Sequence, residues 1–210
     1  MITSSILKVF DIGALQLQVY VPDVNIIREN YQQAKKEYSS TAFPYWAQVW
    51  PAALGLCEFL ADHISYIQDK RILELGAGLG LPSLFASRYA KEVIASDINP
   101  DAVELMRRSA QQNGIKNMQS RLLNWNHLPV SLHADVLLIS DVNYDPVAFE
   151  TLYAVLKKFA ADGTIIVLST PQRLLAKPFI ARLLPLCTAQ DEILVELDQK
   201  QSIVTVMILQ

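Results

Sequence analysis

The chain has 210 residues, 51% of them hydrophobic and 19% charged, with seven Gly and ten Pro. That length suits one compact domain, and the composition excludes collagen-like, low-complexity and disordered chains. Eighteen Lys and Arg against twenty-one Asp and Glu give a net charge of −3. This lacks the basic excess that binding a phosphate backbone favours, so nucleic acid is not an expected partner.

In chain order, residues 6–10 and 15–21 alternate apolar and polar side chains around Asp11-Ile12-Gly13, which predicts a β-hairpin. A polar stretch rich in Tyr, Gln and Lys follows to Ser40. Residues 1–42 therefore read as an N-terminal hairpin and helical extension, and residues 43–210 as the main domain. The opening MITSSILKVFDIG has neither a basic leader nor a long apolar core, and no apolar run approaches the ~20 residues that span a bilayer. A cytoplasmic protein with no membrane partner is expected.

The segment Phe43-Pro44-Tyr45-Trp46-Ala47-Gln48-Val49-Trp50-Pro51 is dense in bulky and rigid side chains. It forms either a plug over a sheet edge or one wall of a pocket. Behind it, Leu54, Leu56, Cys57, Leu60 and Ile64 fall on one stripe and predict a helix over 51–67. From residue 70 on, strand-like runs at 71–75, 92–96, 118–122, 135–140 and 164–169 alternate with helical stretches at 81–89, 100–113, 147–160 and 172–184. Turn residues at Asn113-Gly114 and Asp162-Gly163 punctuate them. This alternation predicts an α/β fold, a doubly wound Rossmann-like sheet with parallel strands and helices on both faces. Runs at 192–197 and 202–209 are joined only by Asp198-Gln199-Lys200-Gln201, too short for a helical crossover, so they pair antiparallel and close a seven-stranded sheet.

Cys57 and Cys187 lie far apart without CxxC spacing and read as reduced core thiols in helical segments. His63, His127 and His133 show no metal-ligand spacing, so no metal is expected.

The chemistry begins at Glu74-Leu75-Gly76-Ala77-Gly78-Leu79-Gly80, a glycine turn between a strand and a helix, with Pro82 in the first helical turn. Such a turn lets a ligand approach backbone amides without Cβ interference. A dinucleotide site wants GxGxxG, whose third glycine falls here at Leu81; the spacing is GxGxG, which weakens a nicotinamide reading. Asp97 ends the second strand nineteen residues past Gly78, where doubly wound folds place a carboxylate on ribose hydroxyls. The alternative is an acid at the start of the helix opened by Asn99-Pro100-Asp101. Trp125, within Asn124-Trp125-Asn126, is either core or a ring packed on adenine. The fourth strand ends in Ser140-Asp141-Val142-Asn143-Tyr144-Asp145-Pro146. Asp145 as cap and Pro146 at the first helical position explain themselves, which leaves Asp141 and Tyr144 facing the crevice that holds Gly78 and Asp97.

Taken in order, the Trp46-x-x-x-Trp50-Pro51 segment, the glycine loop, Asp97, Trp125 and Asp141-x-x-Tyr144 resemble the seven-β-strand, S-adenosylmethionine-dependent protein methyltransferases of methyltransferase family 16. These are the lysine methyltransferase-like enzymes with a DxxY motif, and the resemblance covers about residues 43–169. It implies S-adenosyl-L-methionine as cofactor and S-adenosyl-L-homocysteine as product. Gly76, Ala77 and Gly78 would lie against the methionine portion, and Glu74 and Gly80, at the two ends of that loop, would also bind the cofactor. Asp97 would bind the ribose and Trp125 the adenine, with Asn124 offering an amide oxygen where relatives often carry Asp. Trp50 and Ser140 would line the cofactor pocket, and Asp141 and Tyr144 would face the substrate nitrogen. The implied activity is methyl transfer to a lysine of a protein substrate, by a monomer. A protein arginine or a small-molecule nitrogen is the alternative acceptor, and Asn143, where some relatives carry an aromatic or apolar residue, leaves that branch open. A nicotinamide-dependent oxidoreductase and a non-catalytic cofactor-binding module are the readings from other classes. Residues 1–70 are expected to supply acceptor selectivity beyond the strand-end loops.

Overall fold

A computed structural model describes residues 4–39, 41–143, 145–172 and 174–210. Strands β1 (Ser5–Ile12) and β2 (Leu15–Pro22) form the expected hairpin, paired from Ile12↔Leu15 to Ser5↔Pro22. Helix α1 (Val24–Glu37) follows, capped by the Asp23 carboxylate on the Asn25 N–H, and buries none of its residues. The strap from Thr41 to Trp50 leads into α2 (Pro51–Asp62), which starts with Pro in its first turn. The helix stops short of the predicted residue 67, and a single tighter turn at Ile64–Tyr66 completes the stripe.

The main sheet contains β3 (Arg71–Leu75), β4 (Glu92–Asp97), β5 (Met118–Leu122), β6 (Val136–Ser140), β7 (Ile165–Pro171), β8 (Cys187–Leu197) and β9 (Lys200–Leu209). Their order is β5-β4-β3-β6-β7-β9-β8, parallel through β7, with β9 antiparallel to both neighbours. Between them run α3 (Leu81–Ala86), α4 (Pro100–Gln112), α5 (Phe149–Ala161) and α6 (Lys177–Leu183). Cys187 therefore heads a strand, and its expected place in a helix is corrected. The stretch predicted as one helix over 172–184 is a turn at Leu174–Ala176 followed by α6, because Pro178 fits only a first helical turn.

Alternation along β3 divides the interior into two layers. Ile72 packs with α2, α3 and α4 through Leu56, Leu60, Phe85 and Leu105, while Leu73 and Leu75 pack with α5 and α6 through Leu156, Phe159 and Phe179. The hairpin is part of the first layer: Phe10, Ile12, Leu17 and Val19 join the same apolar cluster. The outer edge of β2 is closed by α4, since the Tyr20 N–H donates to Ser109 Oγ at 2.9 Å and the Gln18 N–H to Asn113 Oδ1 at 3.0 Å. The strand order reverses between the parallel neighbours β3 and β6, and the crevice at that switch point, outside the carboxyl ends of the strands, is where open α/β sheets bind ligands.

Candidate active site

The loop from Gly76 to Gly80 leaves β3 and enters α3. Gly76 has φ +67°, and a Cβ there would lie 2.8 Å from Val142 Cγ1 and 3.2 Å from the Trp125 ring, so only glycine fits. Gly78 directs its N–H to Asp97 Oδ2 at 2.9 Å, while Asp97 Oδ1 accepts from the Asn99 N–H at 2.9 Å. Asp97 therefore fixes both the glycine loop and the start of the following helix, the second of which the helix-start reading of its position expects. Burial raises its pKa above the ordinary aspartate value against the lowering effect of these N–H donors.

Glu74 lies on the α2–α3 side of β3, fully buried. It accepts from the Ser83 N–H at 3.0 Å and from the Ser83 hydroxyl. Desolvation pushes its pKa up to about 8 even though these bonds pull the other way. Its Oε1 meets no hydrogen-bond partner. Glu74, expected at the cofactor, is not among the residues of the cavity wall described below: it lies beneath the glycine loop.

A cavity of about 520 Å³ opens over this loop, within the roughly 300–1,000 Å³ of small-molecule sites. The structure brings Trp50, Gly76, Ala77, Gly78, Gly80, Asp97, Asn124, Trp125, Ser140 and Asp141 to its wall. The aromatic segment before α2 is a pocket wall, held in shape by the Trp50 Nε1–H, which donates to the Tyr45 carbonyl at 2.7 Å. Trp125 closes the other side and also packs on the α5–α6 layer. The Asn124 amide oxygen caps the Asn126 N–H at 2.9 Å.

Asp141 sits at the end of β6 with φ +51°, a left-handed conformation unusual for a non-glycine residue, and is 7% exposed. Its N–H donates to the Ser169 carbonyl at 3.0 Å. Val142, next in the chain, also lines the cavity, and Asp145 caps the next helical turn through the Val147 N–H at 3.0 Å, as expected. Tyr144 lies outside the described residues. Asn143 is buried, with its Oδ1 accepting from Thr170 Oγ1 at 3.0 Å.

Residues that sequence reasoning missed are Asn30 and Tyr31 of α1, which line the outer part of the cavity; the Tyr31 ring stands edge-on to Phe43 with centroids 5.3 Å apart. Only the return of α1 over the strap brings them there. Asp97, Asp101 and Asp141 are carboxylates of the lining, and among the described lining residues there is no Lys, Arg or His. Among the described residues no cluster of His, Cys, Asp and Glu could hold a metal.

This sheet order, with the glycine loop, strand-end acid and aromatic walls around one crevice, defines a Rossmann-like methyltransferase domain. Along its whole length the fold matches a 16S rRNA methyltransferase of T. thermophilus solved with AdoMet and guanosine, with TM-score 0.66, 17% identity, and coverage of 98% of this chain and 50% of that one. The N-methyltransferase NodS of Bradyrhizobium japonicum, solved with S-adenosyl-L-homocysteine, matches with TM-score 0.58 and 13% identity over 86% of this chain and 98% of that one. The model of methyltransferase family 16, described as lysine methyltransferase, matches residues 34–184, and the chain belongs to that family. Among curated relatives, the human histone-arginine methyltransferase METTL23 is 38% identical over 112 residues, 50% of this chain and 59% of that protein. The electron transfer flavoprotein beta subunit lysine methyltransferase of Xenopus laevis is 29% identical over 151 residues, 70% of this chain and 60% of that protein. The chain spans little more than half the length of these relatives.

Proposed function

We propose that this protein transfers a methyl group from S-adenosyl-L-methionine to a lysine side chain of a protein substrate. The observation that carries this reading is the lining of the cavity: three carboxylates and several aromatic rings, with no cationic side chain among the described lining residues. Such a wall favours a cationic cofactor and a cationic acceptor and disfavours the phosphates of a dinucleotide or a nucleic acid.

The residues fit the cofactor. The loop from Gly76 to Gly80 offers a cradle for the methionine portion, the Asp97 carboxylate an acceptor for ribose hydroxyls, and Trp125 and Asn124 a face and an edge for adenine. Trp50 and Ser140 complete the pocket. S-adenosyl-L-methionine supplies, when bound, a sulfonium methyl that needs no further activation. The chain's own task is alignment and handling of the acceptor proton. A lysine amine, with an ordinary pKa of ~10.4, is protonated at pH 7 and must lose a proton to expose its lone pair. Asp141 accepts a hydrogen bond from the ammonium, orients it, and lets the proton leave to water; Tyr144, the other member of the DxxY motif, assists by hydrogen bonding to the acceptor. The protein acts as a monomer in the cytoplasm.

A protein arginine is the second reading, supported by the likeness to METTL23. Incubation with methyl-labelled S-adenosylmethionine and cell extract, followed by amino-acid analysis of labelled protein bands, tests both. Label in methyl-lysine is expected. Methyl-arginine supports the second reading, and label only in nucleic acid or small molecules overturns both.

A further inference from the structure

A second groove, of about 560 Å³, runs along α2 beside the cofactor cavity, on a neighbouring face of the helix. Lys8, Val9, Phe10 and Asp11 of β1 form one bank, Ile193 to Asp198 of β8 and its turn the other, and Leu54 and Glu58 of α2 the floor. Each bank is a strand with one edge that no strand pairs among the described residues: β1 pairs only β2, and β8 ends the main sheet. Because α4 covers the outer edge of β2, the open edge of β1 is turned the other way, toward β8. Lys8 Nζ reaches Asp198 Oδ1 across one end at 3.6 Å. The banks run roughly 13–17 Å, the length of four or five residues of extended chain.

We propose that this groove takes an extended, Lys- or Arg-containing segment of the acceptor protein, added as a strand between β1 and β8. The identity of the occupant rests on the reading of the protein as a protein methyltransferase; the strand-addition geometry does not. Open strand edges recognise main chain, and the side chains around them select the sequence. Here the selection is for positive charge, since Asp11, Glu58, Glu196 and Asp198 face a single lysine. Glu58 is half-buried beside Asp62, no cation pairs with it among the described residues, and burial and that neighbour raise its pKa. An incoming Lys or Arg relieves this, while Val9 and Leu194, 49% and 64% exposed, offer apolar contacts to alternate side chains of the added strand. Docking here also places the acceptor within reach: Ala53 lines the cofactor cavity and Leu54 the groove, so a single helix separates the two sites.

The test is fluorescence anisotropy with a fluorescein-labelled octapeptide alternating Lys and Val, without cofactor. Saturable binding is expected, weakened at least tenfold by the double substitution Glu58→Gln, Glu196→Gln. A tenfold or greater loss is also expected when alternate peptide nitrogens of the probe are methylated, which removes ladder donors and leaves the charge. Equal binding of the N-methylated probe, equal binding by the double variant, or no binding at millimolar peptide overturns the proposal. So does a concentration-dependent dimer that the peptide fails to dissociate, which gives the groove to a second copy. Neither cofactor nor turnover enters the measurement, so failure of the transfer assay and failure of docking are read separately.

Discussion

Replacing Glu74 by Gln probes the support of the cofactor loop. The carboxyl is fully buried and titrates at about 8, against 4.5 for an exposed glutamate. Between those values the folded protein holds a proton that the unfolded chain has lost, so stability falls as pH rises, by about 1.4 kcal/mol per unit. Summed over the interval, the penalty is roughly 4–5 kcal/mol, complete above pH 8 and absent below 4.5. Gln keeps an oxygen for the Ser83 N–H and hydroxyl and removes the ionisation. Its Nε2 inherits the place of Oε1, which has no partner, at a cost of about 1–2 kcal/mol. The variant is thus the less stable protein at pH 4.5, the curves cross between about pH 5 and 6.5, and at pH 9 the variant is the more stable by about 3 kcal/mol. Urea denaturation from pH 4.5 to 9 measures this. Calorimetry at pH 7 should find the affinity for S-adenosylhomocysteine within a few fold of wild type, because Glu74 does not reach the cavity. Parallel pH curves for the two proteins refute the neutral buried acid; a hundredfold loss of affinity places Glu74 against the cofactor after all.

Gly76→Ala combines a left-handed backbone with a Cβ 2.8 Å from Val142, and should lower stability by about 2–5 kcal/mol; an unchanged melting temperature would contradict the packing described. Asp97→Asn leaves one oxygen for two backbone N–H groups and should weaken S-adenosylhomocysteine binding about 10- to 100-fold by calorimetry. Because burial raises the Asp97 pKa, the carboxylate is lost at a higher pH than an ordinary aspartate as pH falls, and wild-type affinity should drop with it; an affinity flat down to pH 4 would argue against the assignment. Asp141→Ala should reduce turnover at least about 100-fold with product affinity nearly unchanged, and equal turnover removes Asp141 from the chemistry.

The local part of the design was legible from residue order. Strand 71–75 stands where its run of Ile and Leu places it, and the glycine loop, Asp97 and Asp141 share one crevice because a doubly wound sheet puts successive strand ends together. Edges were harder to read. Residues 187–191 carry no apolar alternation, yet they extend β8 by backbone pairing with β9, with a bulge between Cys187 and Ala189. At Glu74 the sequence motif suggested ligand contact, while the side-chain period of β3 turns the carboxyl toward α3 instead. Tyr31 had no signal of its own, since its place depends on how α1 folds back over the strap.

The hairpin at the start of the chain donates Phe10, Ile12, Leu17 and Val19 to the interior shared with α2, α3 and α4. It is consequently no exchangeable module. Grafting it from another member of the family would bring in the wrong interior volumes, and cutting it away would leave one layer of the sheet bare. In the proposed docking, acceptor preference would drift here through the outward-facing side chains Val9 and Asp11, which alternate with the buried Phe10 and Ile12 and change without disturbing the interior. Selectivity and stability are thus written on opposite faces of the same eight-residue strand.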